Sequence, residues 1–229
     1  MTTLDCDYLI IGSGAAGLMA ALHLGRFGHV IVATKKDPAE SNSCYAQGGI
    51  ACVIDPEDTL EAHVRDTLST GVGLCREDVV RALLAGARER VHELEKMGVV
   101  FERREGRDDE YDLGQEGGHS TRRVVHAGDI TGRELIRVLL ARVQENAKIE
   151  IRPHLMGIDL VTTGWLKKAG PSRCIGAYLL DTVKGEIMAV RASATILATG
   201  GAGKVYLYTS NPDVATGDGM AMAWRTGLP

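Results

Sequence analysis

The chain has 229 residues, 45% hydrophobic and 24% charged, with 26 basic and 30 acidic side chains and a net charge of −4. That length allows one large domain or two small ones, and that charge excludes a basic nucleic-acid footprint. Aromatics make up only 4% while glycines number 28, which favours tight turns and close backbone approach over an aromatic groove.

The opening segment, MTTLDCDYLII, carries acids where a secretory leader would carry Lys or Arg. Asp7 to Ile11 is a short continuous apolar run, as expected of a strand buried on both faces of a parallel sheet. GSGAAG follows, then LMAALHLGRFG with Leu18, Ala21, Leu22 and Gly25 at helical spacing and Gly28 in the expected capping place. His29 to Thr34 is a second apolar strand, so the first 34 residues read as a right-handed β-turn-α-β unit.

Two helices are predicted next, one over about 57–69 and one over about 77–97, with Gly98 ending the second. VVFER reads as a strand, and the polar stretch 104–123, with four glycines, is too long for an idle connection. Thr131 and Glu134 form the pattern of a capping box opening TGRELIRVLLARVQEN. Strand candidates then dominate: IEIRPH, IDLVTT, CIGAYLLD, EIMAVRA and ATILAT, the last running into GGAG. The fold class is therefore α/β, a Rossmann-like dinucleotide-binding domain with a mostly parallel central sheet and an additional β-rich segment. No apolar run approaches the ~20 residues of a membrane span. Five scattered cysteines, none spaced C-x-x-C, argue against a disulfide framework or zinc knuckle and suit a reducing cytoplasm.

Chemistry concentrates in the glycines. Gly12, Gly14 and Gly17 have the G-x-G-x-x-G spacing, and here a buried strand precedes them and an apolar helix follows. The first permits a tight turn and the second lets backbone N–H groups reach a pyrophosphate. The third allows close helix–strand packing, with the helix N-terminus directed at the phosphates. An ordinary NAD site carries an acid at the end of the second strand; here that place reads ATKKD. Lys35 suits a 2′-phosphate or the adenosine end of another nucleotide, and Lys36 a solvated position. SNSCYAQGGIA, after the second strand, is uncharged and rich in small hydroxyl and amide groups. It suits the flat, neutral edge of a flavin ring. ATGGAG and TGDGMAMAW would crowd the same cofactor. Asp218 would accept from a ribitol hydroxyl or serve as a helix N-cap, and Met220, Met222 and Trp224 read as core packing. The glycines between Glu116 and His119 disfavour the helix a zinc motif needs, so no metal is expected. Arg122 and Arg123 could attract a dicarboxylate, although arginines beside a loop are usually solvated.

IIGSGAAGLMAAL, YAQGGIA, EGGHSTRRVVHAGDITGREL, ATILATGGAGKVY and TSNPDVATGDGMAMAWRTG resemble the flavoproteins that include L-aspartate oxidase and the flavin subunits of succinate dehydrogenase and fumarate reductase. The resemblance runs the whole chain and is nearest the aspartate-oxidising branch. It implies FAD as cofactor and L-aspartate as substrate, with oxygen or fumarate as electron acceptor. It also implies a place in quinolinate and NAD synthesis and raises an association with quinolinate synthase. Respiratory relatives attach flavin through a histidine where this chain has Asn42, so the resemblance implies non-covalent FAD. Glu116 matches the glutamate that faces the substrate amine in that branch, and an ammonium beside a flavin needs a charge-assisted acceptor. His119 would shape the loop over the flavin, and His126 would be structural.

The same resemblance carries Ser13, Gly14, Ala15 and Ala16 to the pyrophosphate and Lys35 to the adenosine side. Asn42, Ser43, Cys44, Tyr45, Ala46, Gln47, Gly48 and Gly49 fall around the flavin, Asp218 on the ribitol side, and Met156 and Gly157 near the adenine. Residues 1–229 would then be the N-terminal part of an FAD-binding domain. The capping domain, the helical C-terminal domain and their substrate-binding arginines and histidines would be absent, leaving the piece inactive alone.

Overall fold

The structure, a computed structural model, describes residues 2–128, 130–167 and 169–228. In chain order the elements begin β1 (Thr2–Ile11), α1 (Ala15–Leu24), β2 (Val30–Ala33), β3 (Ile50–Ala51), α2 (Leu60–Thr70), α3 (Glu77–Ala85) and α4 (Ala87–Met97). They continue β4 (Arg103–Arg104), β5 (Arg107–Tyr111), β6 (Leu113–Gly114), β7 (Val124–Val125), α5 (Thr131–Gln144), β8 (Ile149–Arg152), β9 (Leu155–Thr162), β10 (Cys174–Asp181), β11 (Glu186–Leu197) and α6 (Asp218–Arg225). Two compact units result, one from residues 1–44 and 139–229, the other from 45–138.

The first unit is built on a six-stranded sheet of order β8-β2-β1-β11-β10-β9. β8, β2, β1 and β11 run parallel, while β10 and β9 add antiparallel at one side. The expected β-rich segment is thus part of the main sheet. EIMAVRA and ATILAT, read as two strands, are the single strand β11, because parallel pairing with β1 continues on both sides of Ser193. The same pairing extends β1 back to Thr2, well before the apolar run.

Strand alternation divides the buried side chains between two faces. Leu9, Ile11, Ile31, Ala33, Leu179, Val190 and Met222 belong to one core cluster. Ile10, Val30 and Val32 are equally buried and point to the other face. Of MAMAW only Met222 is core; Met220 and Trp224 are exposed, since an eight-residue helix offers a single buried stripe.

Helix α1 is capped by Gly25, not Gly28: Gly25 N–H donates to Ala21 O at 2.8 Å. Gly28 is needed for closeness instead. A Cβ there would lie 2.4 Å from Asp7 Oδ2, the atom that accepts the His29 N–H at 2.7 Å.

The second unit holds α2, α3, α4, the β4–β5 hairpin and a small sheet of order β3-β7-β6. The helix expected over 77–97 is two helices divided at Gly86, where the missing side chain makes a helix interior weakest. Gly98 does end α4, in a left-handed conformation (φ 109°), with Val99 N–H donating to Leu94 O at 3.0 Å and Gly98 N–H to Glu95 O at 2.9 Å. VVFER is not a strand as a whole. Val99 and Phe101 are buried as irregular chain, and pairing begins only at Arg103. The polar stretch after it contains β5 and β6, so it is structured. Thr131, expected as a cap, is the first helical residue, and its hydroxyl accepts the Ala127 N–H at 3.1 Å; Glu134 pairs with Arg137.

Among the described residues no helix is long and apolar enough to cross a membrane, and the five cysteines are free thiols.

Candidate functional site

In the first unit a cavity of about 370 Å³ opens at the carboxyl ends of β1, β2 and β11, where an open α/β sheet receives its ligands. Gly12, Ser13, Gly14, Ala15 and Ala16 line it from the β1–α1 turn. Gly12 sits at φ +116°, and a Cβ on it would fall 2.2 Å from Ala198 O. Gly17 is buried off the cavity, and its Cβ would fall 2.0 Å from Gly12 O. Only hydrogen at these positions lets the turn, the helix start and β11 close up.

Gly14 caps α1 without any side-chain bond, and Ala15 N–H donates to Ser43 Oγ at 3.2 Å. The other first-turn amides carry the positive end of the helix toward the cavity. Ser13 is buried and turns its hydroxyl away, to Thr34 Oγ1 at 3.0 Å and Pro38 O at 2.9 Å, so its backbone is what it offers. This is a cradle of bare main chain and positive dipole, fitted to a diphosphate.

Lys35 and Asp218 line the same cavity. Lys35 Nζ donates to Asp218 Oδ2 at 2.6 Å and to Thr216 Oγ1 at 2.5 Å, while the Thr216 hydroxyl donates to Asp218 Oδ1 at 2.7 Å. Lys35 is expected toward the adenosine side and Asp218 on the ribitol side; in this structure their side chains are hydrogen-bonded to each other. Asp218 is the first residue of α6 rather than its cap, which is Gly217 at φ +77°. Asn42 and Ser43 line the cavity, as do Thr34, Glu40, Ser41, Thr199 and Val214, none of which was singled out as a site residue. Gly157 lines it too, and a Cβ there would come 2.9 Å from Met222 Cε. Met156, next to it on β9, is not among the lining residues, as strand alternation requires; nor is Cys44.

Tyr45, Ala46, Gln47, Gly48 and Gly49 begin the second unit and are exposed. Gly49 adopts φ +106°, with a would-be Cβ 2.4 Å from Val125 O. Glu116 is exposed at the loop between β6 and β7. Its carboxyl carbon is 3.6 Å from where a Cβ on Gly48 would sit, and it has no ion-pair partner among the described residues. Two of the chain's most distinctive motifs, A-Q-G-G and E-G-G-H, therefore meet within one unit. His119 lies on the same loop, its ring edge-on to His63 at 5.5 Å. His63 is buried, and desolvation, then the Arg123 charge, lowers its pKa and keeps the imidazole neutral.

Arg123 is not solvated. It is fully buried, bidentate with Asp58 at 2.9 Å on both bonds and bound to Asp66 at 2.6 Å. Charge balance with two acids far back in the sequence permits this, and nothing in the local sequence announces it. Arg122 stays exposed and donates to Leu113 O. His126 is apart from Glu116 and His119, between Glu102 (3.4 Å) and Asp112 (3.7 Å). That trio is the one metal-capable group among the described residues.

The sequence profile of the FAD-binding domain family matches residues 7–229. The chain is 47% identical over 228 residues to the L-aspartate oxidase of Pseudomonas aeruginosa, covering 96% of this chain and 42% of that one. It is 45% identical over 219 residues to the chloroplastic L-aspartate oxidase of Arabidopsis thaliana, covering 96% of this chain and 33% of that one. Among solved structures, an E. coli quinol fumarate reductase superposes with a TM-score of 0.89 at 31% identity, over 98% of this chain and 37% of that one. The chain thus spans about two-fifths of the bacterial oxidases it matches.

Proposed function

We propose that this chain, which belongs to the FAD-binding domain family, is the flavin-holding part of an L-aspartate oxidase. In this reading FAD is held without a covalent bond, and L-aspartate is oxidised to iminoaspartate with oxygen or fumarate as acceptor. The proposal extends to a cytoplasmic setting in quinolinate and NAD synthesis, where quinolinate synthase is the enzyme to be tested for association.

The residues present fit the cofactor. Ser13 to Ala16 would take the pyrophosphate on main-chain N–H groups and the dipole of α1. Lys35 and Asp218, hydrogen-bonded to each other in the cavity wall, would offer polar groups to the cofactor's sugar hydroxyls. Asn42 to Gly49 would supply neutral hydrogen-bonding groups to the ring, and Gly157 room for the adenine; Met156 supports its strand. When bound, FAD supplies a two-electron acceptor for the hydride on the substrate Cα.

The observation that carries the substrate choice is the Glu116 carboxylate, set against Gly48 and without a cationic partner among the described residues. A substrate ammonium gives that carboxylate a charge-assisted partner and orients the Cα–H. A dicarboxylate without an amine leaves it unpaired, and a site built for a polar group discriminates strongly against an analogue that lacks it. Asn42 favours this reading over the respiratory one, since an amide cannot become the covalent flavin link.

Two measurements test it. Acid precipitation of the complete polypeptide releases all its flavin to the supernatant; flavin remaining in the pellet would support the respiratory reading. L-Aspartate elicits peroxide from the complete polypeptide and none from residues 1–229 alone. Turnover by the isolated piece would show that the substrate-binding groups lie within it.

A further inference from the structure

Loop 115–123 joins β6 to β7 and carries Glu116 near its tip. Its base is closed by Arg123 N–H donating to Gly114 O at 3.1 Å. Its tip is a tight turn in which His119 N–H donates to Glu116 O at 3.2 Å, with Gly118 at φ +87°. Gln115 Nε2 donates to His119 O at 2.8 Å. These bonds give the loop a shape but do not fix where it sits.

What locates it is α2 and the buried arginine. Asp66 Oδ2, on α2, accepts the Ser120 N–H at 2.8 Å, the Ser120 hydroxyl at 2.7 Å and Arg123 Nη1 at 2.6 Å. Gly118 is pressed on Thr70, where a Cβ would fall 2.6 Å from Oγ1. All five Arg123 N–H groups are engaged: two with Asp58, one each with Asp66, Thr121 Oγ1 and His119 Nδ1. A guanidinium can only donate, so in the 3.4 Å contact with Arg123 Nη1 it is His119 Nδ1 that accepts.

We propose that Asp58, Arg123 and Asp66 are positioning residues: a buried clamp that holds the Glu116 turn against Gly48 and thereby sets the affinity for the substrate's amino group. This rests on the role given to Glu116 above. Asp66 touches no substrate; it acts by holding Ser120, four residues along the chain from Glu116. A clamp of this kind separates amine recognition from carboxylate recognition, so its loss weakens only ligands that bear the amine.

The test uses the complete flavoprotein and compares L-aspartate with succinate, the dicarboxylate lacking an amine, as a competitive inhibitor. Asp66→Asn raises KM for L-aspartate about tenfold and leaves kcat within about threefold, with the succinate inhibition constant unchanged. Ser120→Ala, which removes one bond and leaves the buried charges paired, shifts KM the same way by about threefold and guards against a folding failure of the first variant. In a Glu116→Gln background neither substitution moves KM further.

Equal shifts for aspartate and succinate, or no shift with either variant, would overturn the clamp. If Glu116→Gln raises KM while Asp66→Asn and Ser120→Ala do not, the clamp fails and the role of Glu116 stands. If Glu116→Gln itself leaves KM unchanged, that role fails and the clamp falls with it.

Discussion

Lys35 Nζ and Asp218 Oδ2 lie 2.6 Å apart although 183 residues separate them, tying the end of β2 to the first turn of α6 across one face of the cavity. Both side chains are about a fifth exposed (22% and 19%), so each depends on the other to offset lost hydration.

Breaking this pair from one side therefore costs more than removing it. Lys35→Met leaves a partly buried carboxylate unpaired and should lower unfolding stability by about 1–3 kcal/mol. Lys35→Met with Asp218→Asn should recover part of that loss. Urea unfolding of the single and double variants measures the coupling, and additive losses would show that the two groups act independently.

Gly12 is the position where the turn tolerates least. A methyl there meets Ala198 O at 2.2 Å on a backbone at φ +116°. Gly12→Ala should cost more than about 3 kcal/mol and abolish FAD retention. Gly106→Ala, also at positive φ (+74°) but in open space, should cost only about 1 kcal/mol. Thermal melts separate the two, and equal losses would mean that backbone conformation alone, not the close approach, sets the requirement.

Gly86 is the opposite case. It divides α3 from α4 at φ −87°, which any residue adopts, and its nearest neighbour to an added Cβ is 3.8 Å away. Gly86→Ala should stabilise the second unit by about 0.5–1 kcal/mol. A lower melting temperature would show that the break between the helices is required.

Asp66 makes the second unit acid-sensitive. Burial alone would raise its pKa, but the Ser120 N–H and hydroxyl and the Arg123 guanidinium outweigh that and hold it at about 2, below the ordinary 3.8. A depressed carboxylate stabilises the fold above its unfolded pKa and loses that contribution as pH falls, here between about pH 4 and pH 2. The contribution is on the order of 2 kcal/mol at neutral pH. Acid unfolding followed by circular dichroism should show this slope in the parent protein and a flatter one in Asp66→Asn. Identical slopes would place the acid sensitivity elsewhere.

The first unit was largely legible because its signals are local. Gly12, Gly14 and Gly17 stand between a strand and a helix that announce themselves by hydropathy, Asn42 and Ser43 follow in an uncharged run after the second strand, and Asp218 is marked by the glycines on either side of it. What escaped is long-range. Parallel pairing with β1 fused two apparent strands into β11. The Lys35–Asp218 bond joins residues that the resemblance assigns to the adenosine and ribitol sides. Arg123 looked solvated because Asp58 and Asp66, 65 and 57 residues earlier, give no local sign of pairing with it. At Gly86 an apolar periodicity of unbroken phase concealed a helix break that one glycine sufficed to make.

The amine-selective role proposed for Glu116 is tested most directly by adding ligands without oxygen to the complete, FAD-loaded polypeptide. L-Aspartate should bleach the flavin absorbance and succinate should leave it unchanged. Bleaching by succinate with none by L-aspartate would contradict the account.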